Sequence, residues 1–138
     1  MMKLTRNSFK RLLLFLPPLI WMALIFYGSS RQRVTVSENF WFSFLFFKTL
    51  HVLEYGILFL LWRLALYGRV NGLRWALLIS IIYGMTDEWH QSLVPTREAR
   101  LRDVFIDCSG IVLFWRLVWP EFEKRFFKIR PIKAWFTS

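Results

Sequence analysis

Side chains able to do chemistry occur in this sequence inside stretches that are otherwise apolar. Lys48, His51, Glu54 and Tyr55 interrupt one such stretch, Asp87, Glu88 and Gln91 close a second, and Asp103 and Asp107 open a third, with Arg97 ahead of it. A carboxylate among Asp87, Glu88 and Asp103 could serve as general base, or His51 as acid or base, while Lys48 and Arg97 hold an anionic group. Asp103 and Asp107 lie one helical turn apart, a spacing at which they could bind a divalent cation such as Mg2+ together with Glu88 or Asp87. No complete ligand set is readable, so neither a metal nor another cofactor is assigned.

Other chemistries lack their parts. Glu88-Trp89-His90 is not the His-Glu-x-x-His zinc helix, and no second histidine follows at the required spacing. Ser29, Ser30 and Ser109 lack a Gly-x-Ser-x-Gly setting, and His51 and His90 belong to different segments. There is no phosphate-binding glycine loop, and the basic residues do not form the Arg and His pattern of membrane phosphatases. The aspartate spacing is only faintly similar to that of CDP-alcohol phosphotransferases, whose longer glycine and aspartate pattern is missing. Cys108 is the only cysteine, which excludes an intrachain disulfide and a thiolate metal cluster and reads as a small side chain packed in a helix bundle.

The elements that must position these residues are four apolar runs, each near the roughly 20 residues that cross a bilayer. They are Leu12 to Tyr27, with Pro17 and Pro18 limiting or kinking the helix near its start; Phe40 to about Leu66; about Trp75 to Val94; and about Leu101 to Trp119. Gly28 to Asn39, Gly68 to Arg74 around Asn71-Gly72, and Pro95 to Arg100 connect them with turn chemistry. Residues three, four and seven apart share a helix face, which aligns Lys48, His51 and Tyr55 on the second run with Glu54 on the flank. It aligns Ser80, Gly84, Asp87 and Gln91 on the third with Glu88 offset, and Asp103, Asp107 and Gly110 on the fourth. Gly84 and Gly110 would let helices approach closely beneath the polar cluster.

Composition fixes the solvent. With 56% hydrophobic and 20% aromatic residues among 138, the chain carries more apolar surface than a soluble domain of that size could bury. The net charge of +10 suits nucleic acid or an anionic membrane face; Lys and Arg gather beside the ends of the apolar runs and no nucleic-acid-binding signature appears, so the partner is the lipid bilayer and not nucleic acid. The basic amino terminus imitates a secretory signal, but Pro17-Pro18, Trp21 and Tyr27 argue for an uncleaved first span. With four spans, Lys3, Arg6, Lys10, Arg11, Arg69, Arg74, Lys124, Arg125, Lys128, Arg130 and Lys133 fall on one side, and Arg31, Arg33, Arg97, Arg100 and Arg102 on the other. Basic flanks stay inside, which predicts both termini in the cytoplasm and the polar residues of three helices together in the outer half of the bilayer. A charge at a helix centre costs roughly 2.5 to 3.5 kcal/mol on insertion scales, so these groups must face one another, water or protein, or be protonated, or hold a cation.

Two segments carry a family resemblance. KTLHVLEYGIL, Lys48 to Leu58, resembles the Lys-x-x-His-x-x-x-Tyr element of VanZ-like proteins, and YGMTDEWHQSLVPTREARLRDVFIDCSG, Tyr83 to Gly110, resembles their Asp-Glu-x-x-Gln, Pro-x-Arg, Asp and Gly sequence. The resemblance covers about residues 10 to 119 and carries the family's polar signature to Lys48, His51, Tyr55, Asp87, Glu88, Gln91, Arg97, Asp103, Asp107 and Gly110. Thr96 stands where Gly is common and Asp107 where Asn is common. The resemblance implies a bacterial cytoplasmic-membrane protein and, for the name-giving members, low-level resistance to teicoplanin-type glycopeptides; it implies no established reaction.

The expectation is therefore an all-α polytopic membrane protein, a bundle of about four transmembrane helices over residues 1–119, followed by a basic, aromatic cytoplasmic tail over 120–138 lying on the headgroups or in solvent. Its outward polar site either modifies or engages a lipid-linked envelope precursor or a glycopeptide drug, or its charges serve only as glue between helices. Enzyme and binder both stay open.

Overall fold

A computed structural model describes residues 11–31, 38–95, 97 and 100–126. Lys3, Arg6, Lys10, Arg33, Thr96 and the tail from residue 127 onward, with Lys128, Ile129, Arg130 and Lys133, lie outside the described residues. Among the described residues the secondary structure is all helical: α1 Leu16–Ser29, α2 Phe40–Ala65, α3 Gly72–Gln91, α4 Leu101–Leu113 and α5 Trp119–Phe126, with a π-helical turn Phe114–Val118 joining the last two.

Local chemistry sets the helix ends. Pro17 and Pro18 occupy the first turn of α1, where a missing N–H costs nothing and the fixed φ suits a helix. The Asn39 side chain accepts from the backbone N–H of Trp41 and Phe42 at 3.0 and 3.2 Å and caps α2. Gly68 and Asn71 both take positive φ, 74° and 57°, in the tight turn that sends the chain back into α3. The fourth apolar run does not stop at Trp119: the helix passes through the π turn and Pro120 to Phe126, Trp119 is buried, and Phe122 packs against the core. On α5 the Lys124 ammonium, 3.0 Å from the exposed Glu121 carboxyl, holds that group below its ordinary range.

α2 is the central helix and packs against α1, α3 and α4. Close approach to α4 depends on Gly110, where a Cβ would run into the Val52 carbonyl of α2. Beside an apolar core that includes Tyr55, Leu58, Phe59 and Ile111, the polar residues Asp87, Glu88, Gln91, Asp103 and Asp107 are buried, while Leu19, Ile20, Leu24, Leu45, Leu78, Ile82, Phe105 and Leu117 are exposed. Only a fifth or so of the most apolar windows of the helical stretches Arg11–Ser29 and Phe40–Ala65 is buried by protein, and both stretches are long and apolar enough to cross a membrane. Such outward apolar faces fit a membrane protein.

Candidate functional site

The polar residues of α2, α3 and α4 meet at one end of the bundle, and they divide into two groups. The first is centred on Asp87 of α3. Its Oδ2 accepts from Ser29 Oγ of α1 at 2.9 Å, Tyr55 OH of α2 at 2.8 Å and Gln91 Nε2, one turn along α3, at 2.8 Å. Gln91 passes the network outward, its Oε1 accepting from Arg97 at 3.1 Å. Arg97 also donates to the carbonyls of Gly28 and Arg31, at 3.2 and 2.9 Å, and so ties the segment after α3 to the end of α1. Beside this, Ser30 and His90 Nε2 lie 3.0 Å apart and the His90 ring stacks on Phe26.

The second group lies between α2, α3 and α4. Lys48 Nζ meets Asp103 Oδ1 at 2.8 Å, with Arg102 Nε 3.5 Å from the same oxygen. One turn deeper His51 Nδ1 lies 3.1 Å from Asp107 Oδ1, and Glu88 of α3 comes close to both. His51, Glu88 and Asp107 each offer a ligand atom within 4.8 Å of the other two. Asp103 and Asp107 thus meet different partners on α2, one turn of helix apart. Glu88, offset from the α3 stripe, is as buried as Asp87, at 4% exposure each, because α3 is flanked by helices on both sides.

Above the second group opens a cavity of about 280 Å³ lined by Lys48, Arg97, Arg100 and Arg102, by His51, Gln91 and Asp103, and by Phe40, Trp41, Phe44 and Phe47. Four cationic side chains thus share the space with one carboxylate and an aromatic wall. Arg102 and Lys48 also lie over the Phe44 ring, at 5.1 and 5.8 Å.

All nine residues singled out from sequence, Lys48, His51, Tyr55, Asp87, Glu88, Gln91, Arg97, Asp103 and Asp107, belong to this end of the bundle. Sequence reasoning missed Ser29, which ends an apolar run and looks like a turn residue, and the aromatic wall. The wall had a signal: Phe40, Phe44 and Phe47 continue the Lys48–His51 face backward at helical spacing.

The family model described as VanZ/LLP1 matches residues 9–124 and so contains both segments that carried the resemblance. No curated protein and no solved structure matches the chain.

Proposed function

This chain belongs to the VanZ/LLP1 family, and from that premise we propose that it is a multi-pass membrane protein whose cationic cavity receives the anionic head group of a lipid-linked envelope component at the outer leaflet. The orientation rests on basic residues: eleven flank the ends assigned to the cytoplasm and five the opposite ends. The head-group reading rests on one observation, the pairing of Lys48, Arg97, Arg100 and Arg102 with Phe40, Trp41, Phe44 and Phe47 around a single cavity. Phosphate or carboxylate oxygens accept well from Lys and Arg, and an attached apolar chain finds the rings. In this reading the protein lowers susceptibility to teicoplanin-type glycopeptides, because a lipid tail brings such a drug to the leaflet where the cavity opens. Whether the head group is changed or only held is a separate question, answered by mass spectrometry of envelope lipids and cell-wall precursors with and without the protein.

The direct test is binding in nanodiscs, read by native mass spectrometry with a polyprenyl phosphate and with phosphatidylcholine. The polyprenyl phosphate should be preferred, and Lys48→Ala or Arg97→Ala should weaken it about tenfold, the worth of one charge-assisted hydrogen bond. Equal binding of the two lipids would reject the head-group reading. Labelling of single cysteines in intact cells checks orientation: both termini reacting from outside would invert it. In a susceptible Gram-positive host, protection should be greater against tailed than untailed glycopeptides, and unchanged sensitivity would remove the resistance role alone.

A second reading, in which the buried charges only hold helices together, is favoured at one position. Asp87 binds side chains from α1, α2 and its own helix and does not line the cavity.

A further inference from the structure

Glu88 is 4% exposed, and neither of its carboxylate oxygens has a hydrogen-bond partner among the described residues. The same holds for Oδ2 of Asp107, whose residue is 1% exposed. An unpaired buried carboxylate is among the costliest arrangements a fold can contain. Lys48 is not its hydrogen-bond partner, being engaged by Asp103 at 2.8 Å. What Glu88 does have close by is an imidazole nitrogen and a second carboxylate, all three ligand atoms within 4.8 Å of one another.

We propose that His51, Glu88 and Asp107 form a binding site for one divalent first-row transition-metal ion, of which zinc is the probe of choice. The donor set is one imidazole and two carboxylates, which suits zinc, manganese or iron better than the all-oxygen, higher-coordinate preference of calcium. The 3.1 Å between His51 Nδ1 and Asp107 Oδ1 is close to the roughly 3.3 Å that separates neighbouring ligands on a tetrahedral ion with bonds of about 2.0 Å. Glu88 closes the third position with a small movement of a long side chain. One divalent ion offsets both carboxylates, which a single proton cannot do. Each ligand comes from a different helix, so the ion also pins α2, α3 and α4 together. Three protein ligands leave a coordination position open, and His51 borders the cavity, which gives the ion a route in. The site does not depend on the head-group reading, since neither Lys48 nor Arg97 is among its ligands.

The test uses the full chain, purified without an oligohistidine tag, stripped with chelator, reconstituted in nanodiscs and offered Zn2+ alone. Elemental analysis should find one zinc per chain, and titration should find affinity at least about tenfold weaker in Glu88→Gln and His51→Gln. Glu121→Gln, exposed on α5 and outside the set, should bind as the wild type does. Equal zinc retention by wild type and Glu88→Gln overturns the site, as does a preference for Mg2+ or Ca2+ over Zn2+. The Co2+ adduct of the wild-type chain gives a reading that no variant's folding can disturb. Visible bands of a low-coordinate ion with histidine nitrogen coupling support the site, and a six-coordinate, all-oxygen spectrum overturns it.

Discussion

Asp87 and Glu88 are neighbours in sequence and equally buried, yet their surroundings are opposite. Asp87 sits in the more complete network: three donors converge on its Oδ2, only Oδ1 is left without a partner among the described residues, and the chain continues through Gln91 and Arg97 to the backbone of α1. Glu88 sits in the less complete one, beside a histidine and another carboxylate below a cavity of about 280 Å³. A carboxylate held by several donors ties a fold together, while one with neither oxygen paired leaves capacity for something the chain does not supply. The two halves of the cluster therefore divide the glue and the site between them, and substitutions can break or sharpen that division.

The largest effect is expected at Asp87. Asp87→Ala strands donors from Ser29, Tyr55 and Gln91 and should cost about 3 kcal/mol, taking each membrane hydrogen bond at about 1 kcal/mol. Thermal unfolding in detergent with chelator present would measure it. Glu88→Gln removes no hydrogen bond and relieves an unpaired buried carboxylate, so under the same conditions it should not destabilise and should gain about 1 kcal/mol or more. Equal destabilisation by the two would erase the division and make the whole cluster structural.

Much of this was legible in the sequence, because a helix repeats every 3.6 residues and apolar runs betray their lengths. Lys48, His51 and Tyr55 could be placed on one face, and Asp103, Asp107 and Gly110 on another, without any coordinates. Pairing was not legible. Periodicity fixes angle around a helix axis but not the vertical offset between helices, so nothing in the spacing says that Asp103 meets Lys48 while Asp107 meets His51. Nor does a stripe say how many neighbours a helix has: Glu88 lay off the α3 stripe and is buried because α4 covers its side. The aromatic wall was lost for a different reason. In an apolar run, a phenylalanine facing lipid and one facing a cavity are the same letter.

A smaller effect is expected from the glycines beneath the two halves. Gly110→Ala drives a methyl into the Val52 carbonyl, which belongs to helix backbone and cannot step aside, so α2 and α4 should separate at a cost of about 2 kcal/mol. At Gly84 the nearest atom to an added Cβ is Cε1 of the Tyr55 ring, at 3.3 Å, a side chain that can give by a few tenths of an ångström. Gly84→Ala should therefore cost less than about 1 kcal/mol. If the order is reversed in detergent unfolding, the Tyr55–Asp87 side rather than the α2–α4 contact is the rigid one, and the comparison would need to be redrawn around it.

The smallest effect tests whether the halves are independent. Tyr55→Phe keeps the buried ring and removes one of the three donors to Asp87, leaving Ser29 and Gln91 in place, so it should cost about 1 kcal/mol. Tyr55 also packs beside His51, with ring centroids 6.3 Å apart, and so links the Asp87 network to the other half. If the halves are separate, the cost of Tyr55→Phe should be the same in the wild-type and Glu88→Gln backgrounds, within about 0.5 kcal/mol in metal-free protein. A coupling larger than that would mean the Asp87 network transmits strain to the Glu88 group through the Tyr55 ring. Filling the site around Glu88 would then tighten or loosen the hold of Asp87 on α1.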